Sequence, residues 1–164
     1  MEDAAASHPF RVAMDRRDHA ALVATLAPDV RMTSPVTRDP FVGIDEVSLV
    51  IKLLMEAFEE LDYPDEFDCG DVSIVSFSGV MRGRRITGHE LLRLDEHGRV
   101  RSIEISARPP AGVASIARGV GPALARRRGR VNYVLFWLLS RFMPRILETG
   151  DAIGNRLFRL PERG

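Results

Sequence analysis

Near residue 67 the apolar side chains stop recurring every three or four positions and begin to alternate, and that change of period divides the chain. Before it, Phe10, Ala13, Met14, Ala21 and Leu22 share one side of an expected helix over residues 10–27, with Arg16, Arg17 and Asp18 on the other. Val47, Val50, Ile51, Leu54 and Phe58 stripe a second expected helix over residues 46–61, for which Asp45 is the expected N-cap. Pro28 and Asp29 stop the first helix, a short strand over residues 30–36 follows, and residues 41–43 allow at most a short edge strand. After the change, residues 67–81 read as one long strand bulged near Gly70, residues 85–94 as its returning partner and residues 99–108 as the last strand. Arg82-Gly83 and Asp95-Glu96-His97-Gly98 supply the turns, and Pro109-Pro110 closes the sheet. Helices ahead of an antiparallel meander imply an α+β fold, with the helices on one face of a curved sheet.

The alternation also singles out one acid. In residues 86–94 one face carries Ile86, Gly88, Glu90, Leu92 and Leu94, and the other Thr87, His89, Leu91 and Arg93. A carboxyl on the apolar face loses hydration that its charged form needs, so its pKa rises unless a cation compensates. Glu90 is therefore the candidate functional group, against the alternative of a carboxyl satisfied by a buried hydrogen bond or arginine. His89 points to the opposite face and cannot pair with it. His8, His19 and His97 lack metal-ligand spacing, and the single cysteine, Cys69, reads as a small buried hydrophobe, so no metal or other cofactor is expected. Asp68 and Asp71 read as a solvated strand start. No phosphate-binding glycine loop opens a helix, which leaves a nucleotide site without support.

The formal charge is zero, but it is unevenly distributed. Residues 1–110 hold 20 acids and 13 bases, whereas residues 111–164 hold 3 acids and 10 bases. This division suggests two parts, a domain over residues 1–110 and a basic, apolar helical extension over residues 111–164. In the extension a helix over residues 111–126 should be interrupted at Gly119-Val120-Gly121-Pro122. An arginine cluster at residues 126–130 precedes an aromatic-rich apolar run at residues 131–143, too short to span a bilayer. Residues 126–143 suit either peripheral contact with an anionic membrane or packing on an acidic protein surface, the domain itself or a second subunit. One short basic cluster on a neutral chain does not make a nucleic-acid surface. The lone cysteine and the absence of a signal-like apolar segment near the N-terminus fit a cytoplasmic protein.

Several segments resemble the nuclear-transport-factor-2-like (NTF2-like, SnoaL-like) superfamily. They are Asp18-His19-Ala20-Ala21-Leu22, Leu26-Ala27-Pro28-Asp29-Val30, Ser34-Pro35-Val36, Pro40-Phe41-Val42-Gly43 and residues 88–100, the likeness covering residues 8–110. It implies a cone-shaped fold around an apolar pocket, often in a homodimer, which here takes a small hydrophobic molecule of polyketide, steroid or terpenoid type. The expected walls are Phe10, Met14, Ile51, Leu54, Phe58, Leu92 and Ile103. Ketosteroid isomerases of this superfamily join an acid base to a tyrosine and a protonated acid. By motif, Glu90 falls at the protonated acid, Ser34 at the base and Phe10 at the tyrosine, so two of the three positions differ and that activity is not expected. The acid that an epoxide hydrolase of the superfamily needs on the last strand is also missing, since Ile103, Ile105 and Ala107 occupy its apolar face. The resemblance leaves three classes: a binding protein, an isomerase, cyclase or dehydratase with Glu90 as general acid or base and Ser34 beside it, and a non-catalytic interaction protein acting through the extension.

Overall fold

A computed structural model describes residues 7–127, together with residues 146, 147, 149, 150 and 153. The apolar run at residues 131–143, and all but two residues of the arginine cluster, lie outside the described residues. The elements follow in the order α1 (Pro9–Asp15), α2 (His19–Ala24), β1 (Leu26–Thr33), β2 (Phe41–Val42), α3 (Ile44–Ala57), β3 (Glu60–Asp62), β4 (Glu66–Cys69), β5 (Val72–Met81), β6 (Arg84–Leu94), β7 (Val100–Arg108) and α4 (Pro110–Arg127). The sheet order is β2-β1-β7-β6-β5-β3, with β4 also paired to β5. Only the β1–β7 pairing is parallel. The result is the curved, open sheet of a cone-shaped α+β fold.

The single helix expected over residues 10–27 is two. Arg17 adopts a left-handed φ of 51°, and Asp18 starts α2 by accepting a hydrogen bond from the Ala21 N–H at 3.0 Å. The turn frees the Arg17 guanidinium to donate to the Met55 and Phe58 carbonyls at 2.9 and 3.0 Å. A cation at the open carbonyls of a helix C-terminus is favourable, and here it fixes where α3 stops. That helix ends at Ala57, earlier than its apolar stripe suggests, because Glu60–Asp62 pairs with Ser78, Gly79 and Val80 of β5. At its other end the N-cap is Gly43 rather than Asp45, and the Glu46 carboxylate accepts from the Val42 N–H at 2.9 Å.

The long strand expected over residues 67–81 is a hairpin. Gly70, at φ 62°, turns β4 back onto β5, so that Phe67 pairs with Ile74 and Cys69 with Val72. Cys69 is exposed there, not buried. The β5–β6 hairpin turns at Arg82-Gly83 as the sequence implies, both residues having positive φ. Along β6, Ile86, Gly88, Glu90 and Leu92 are buried, whereas His89 and Arg93 are exposed. The expected inward and outward faces are therefore both present.

The core is packed between the helices and the inner sheet face, with Leu22, Val30, Met32, Val47, Val75, Ile86 and Val100 fully enclosed. Helix α4 joins it. No interruption occurs at Gly119–Pro122, for Pro122 lies inside a helix whose Ile116 and Val120 are buried in the same core cluster. Burying those side chains holds the helix together where proline removes one backbone donor.

Candidate functional site

A cavity of about 580 Å³ opens between the inner sheet face, α3 and α4. Its volume is in the range of small-molecule sites, and its walls are mainly apolar. Met14, Met32, Phe41, Phe58, Tyr63 and Phe77 contribute the large side chains. The cavity's exposed lining residues are Pro35, Val36 and Thr37, Asp45 and Glu46 at the start of α3, and Arg127 of α4, with Ser34 half-buried beside them.

Glu90 is the only ionisable carboxyl buried in this cavity among the described residues; its exposure is 7%. The strand pairing places it between Val75 and Ile105, and its Oε2 is buried without a hydrogen-bond partner. Burial alone raises its pKa from 4.5 to about 7. Among the described residues no cation offsets the lost hydration, so the carboxyl is divided between its two forms near neutrality. Two residues before Glu90 on the same face of β6, Gly88 leaves no room for a side chain: a Cβ there would strike the Ser106 carbonyl oxygen and lie 2.7 Å from Cζ of Phe77.

Tyr63 is the functional candidate that sequence reasoning missed. It sits in a Tyr-Pro-Asp segment that reads as a loop, yet it is 2% exposed and lines the cavity. Burial raises its pKa well above 10, the Glu90 charge adds to this, Asp15 adds less, and Arg17 opposes them. Tyr63 therefore stays a neutral phenol, able to donate. Arg11 fixes its backbone by donating to the Tyr63 carbonyl at 2.6 Å while pairing with Glu66 at 3.2 Å.

Of the other residues expected at the site, Ser34, Met14, Leu54 and Phe58 line the cavity. Phe10, Ile51, Leu92 and Ile103 do not; they are in the close-packed core, each 3% exposed or less. Helix geometry explains the split on α3. Glu46, Val50 and Leu54, four apart, line the cavity, with Phe58 just past the helix end, while Val47, Ile51 and Met55 form the adjacent row in the core. On the sheet, Leu92 and Ile103 pair one step beyond Glu90 and Ile105, where the cone is already packed shut. The Ser34 hydroxyl accepts from the Val36 N–H at 3.3 Å, and no hydrogen bond joins it to Glu90. Among the described residues no cluster of His, Cys, Asp and Glu could hold a metal ion, and no helix is long and apolar enough to cross a membrane.

Solved structures share this cone of curved sheet and helices. A steroid delta-isomerase from Pseudomonas aeruginosa is 26% identical over 73% of this chain and 88% of that one, with a TM-score of 0.67. A bacterial protein with a cystatin-like fold from Silicibacter pomeroyi is 21% identical over 82% and 91%, at 0.69. A protein described as a putative polyketide cyclase from Sinorhizobium meliloti is 21% identical over 59% and 89%, at 0.50. No protein-family model and no curated protein matches the chain. The fold of this chain is that of the NTF2-like superfamily.

Proposed function

We propose that this protein binds a small hydrophobic molecule of steroid, polyketide or terpenoid type, which presents a hydrogen-bond acceptor to Glu90. The observation that carries this reading is the Glu90 carboxyl, buried in the cavity with its Oε2 unpartnered. Leaving a buried polar group unsatisfied costs about 1–3 kcal/mol, and a ligand oxygen accepting from the protonated acid recovers it. Tyr63 supplies a second neutral donor in the same cavity. Apolar walls bind the ligand body, and the two donors orient its polar end.

A second reading makes Glu90 a general acid or base in an isomerase, cyclase or dehydratase step. A pKa of about 7 suits proton transfer at neutral pH. The likeness to a protein described as a steroid delta-isomerase supports the same class. Ser34 is a weaker partner than the sequence suggests, since among the described residues no basic group bonds its hydroxyl; Tyr63 is the better second group.

A thermal-shift screen of steroid, aromatic polyketide and terpenoid ketones tests the binding reading on wild type and Glu90→Gln. A ligand at 100 times its Kd stabilises the folded state by about 2.7 kcal/mol. Ketones that raise the melting temperature of wild type, and raise that of Glu90→Gln by less, support the reading. A screen with no hit in either protein removes it. Catalysis requires in addition that turnover of a hit fall by about a hundredfold or more in Glu90→Gln; equal turnover in both proteins leaves only binding.

A further inference from the structure

Helix α4 lies beyond residues 8–110, which carry the superfamily resemblance, yet it supplies a whole wall of the cavity. Ile116, Ala117, Val120, Gly121, Leu124 and Ala125 all line it. Three of these, Ala117, Gly121 and Ala125, are spaced four apart and so fall on one stripe of the helix. Small residues alone would carry no inference. The same cavity, however, contains Glu90, more than nine-tenths buried and with Oε2 unpartnered, a group that calls for a ligand.

The wall cannot retreat. A Cβ on Gly119 would lie 2.7 Å from Sδ of Met81 and 3.3 Å from Cβ of Ala57, so the helix is seated as close as its backbone allows. Gly112 is equally near the sheet, where a Cβ would meet Cγ1 of Ile86 at 3.0 Å. Ile116 and Val120 fix the same turns in the core. With the helix held on its other side, the size of side chains 117, 121 and 125 sets the free width of the cavity.

We propose that α4 is the specificity wall of this pocket: Ala117, Gly121 and Ala125 hold open the space that receives a multi-ring apolar skeleton whose polar end meets Glu90. The inference rests on the reading of the cavity as a ligand site, and it narrows the ligand class to fused-ring ketones rather than single-ring ones. A leucine at position 117 or 125 adds three carbons where a large ligand's body lies, while leaving a small ligand room beside Glu90.

Calorimetric titration of the full chain with progesterone, a four-ring ketone, and acetophenone, a one-ring ketone, tests this in wild type, Ala117→Leu and Ala125→Leu. Progesterone affinity should fall by about tenfold or more, as for a mismatch of a few carbons in an apolar pocket. Acetophenone affinity should stay within about twofold, and the melting temperature should be unchanged. The ratio of the two affinities is the readout, because general damage to the fold lowers both together. Either variant suffices if the other does not fold. Equal affinity for progesterone in wild type and variants, or equal loss for both ketones, overturns the proposal. Wild type that binds neither ketone overturns the proposal, and the thermal-shift screen then decides separately whether the ligand-site reading falls as well.

Discussion

Glu90 should make this protein less stable as pH rises through neutrality. Its pKa is about 7 in the folded state and near the ordinary 4.5 when the chain unfolds. Between those values the folded state holds a proton that the unfolded state releases. Stability therefore falls as pH rises from about 4.5 to about 7, and the full penalty remains above that. A shift of this size corresponds to about 3 kcal/mol. Asp95, held below its ordinary value by hydrogen bonds from the Arg99 and His97 backbone, acts in the opposite sense but at lower pH, where its stabilisation is lost as pH falls. A neutral variant isolates the Glu90 contribution. Urea unfolding of wild type and Glu90→Gln should be compared at pH 5, 6, 7 and 8. The stability of Glu90→Gln relative to wild type should rise by about 2.5 kcal/mol across that series, most steeply between pH 5 and 7. Parallel stability curves would show that Glu90 is paired or hydrated in solution, and would refute the argument from burial.

Two other substitutions test how the site is held. Arg17→Ala removes the guanidinium that donates to the Met55 and Phe58 carbonyls. It should cost about 2 kcal/mol or more in urea unfolding, since bonds to a charged group are among the stronger ones; an unchanged midpoint would show that Arg17 does not hold the end of α3. Gly88→Ala places a methyl against the Phe77 ring and the Ser106 carbonyl beside Glu90. Overpacking of this kind should cost about 1–3 kcal/mol, read by the same assay, and a neutral effect would mean that the packing around Gly88 yields easily.

The parts of the fold legible in the sequence are those set by local periodicity. Strand β6 alternates strictly, so Glu90 could be placed on the buried face from its neighbours alone. The apolar stripe of α3 likewise identified Leu54 and Phe58 as cavity residues, though it could not separate them from Ile51, one row away. What escaped was decided by distant partners. Arg17 breaks the first helix because the carbonyls it caps belong to α3, some 40 positions on. Glu60–Asp62 carries two acids and little strand preference, and becomes a strand only by pairing with β5. Tyr63 enters the site through that pairing and through Arg11. Pro122 marks a break by local rules, but burial of Ile116 and Val120 overrides it and brings α4 over the pocket.

The most direct test of the central claim is the pH dependence of ketone binding. A neutral ketone accepts a hydrogen bond only from the protonated form of Glu90, so its apparent affinity follows the fraction of that form. With a pKa of about 7, protonation falls about tenfold between pH 6 and pH 8. Titration calorimetry with the ketone that gives the largest thermal shift should show a comparable loss of affinity in wild type over that interval, and no pH dependence in Glu90→Gln. Wild-type affinity that is the same at both pH values, or a pH dependence retained in Glu90→Gln, would contradict the claim that Glu90 is the polar contact for the ligand.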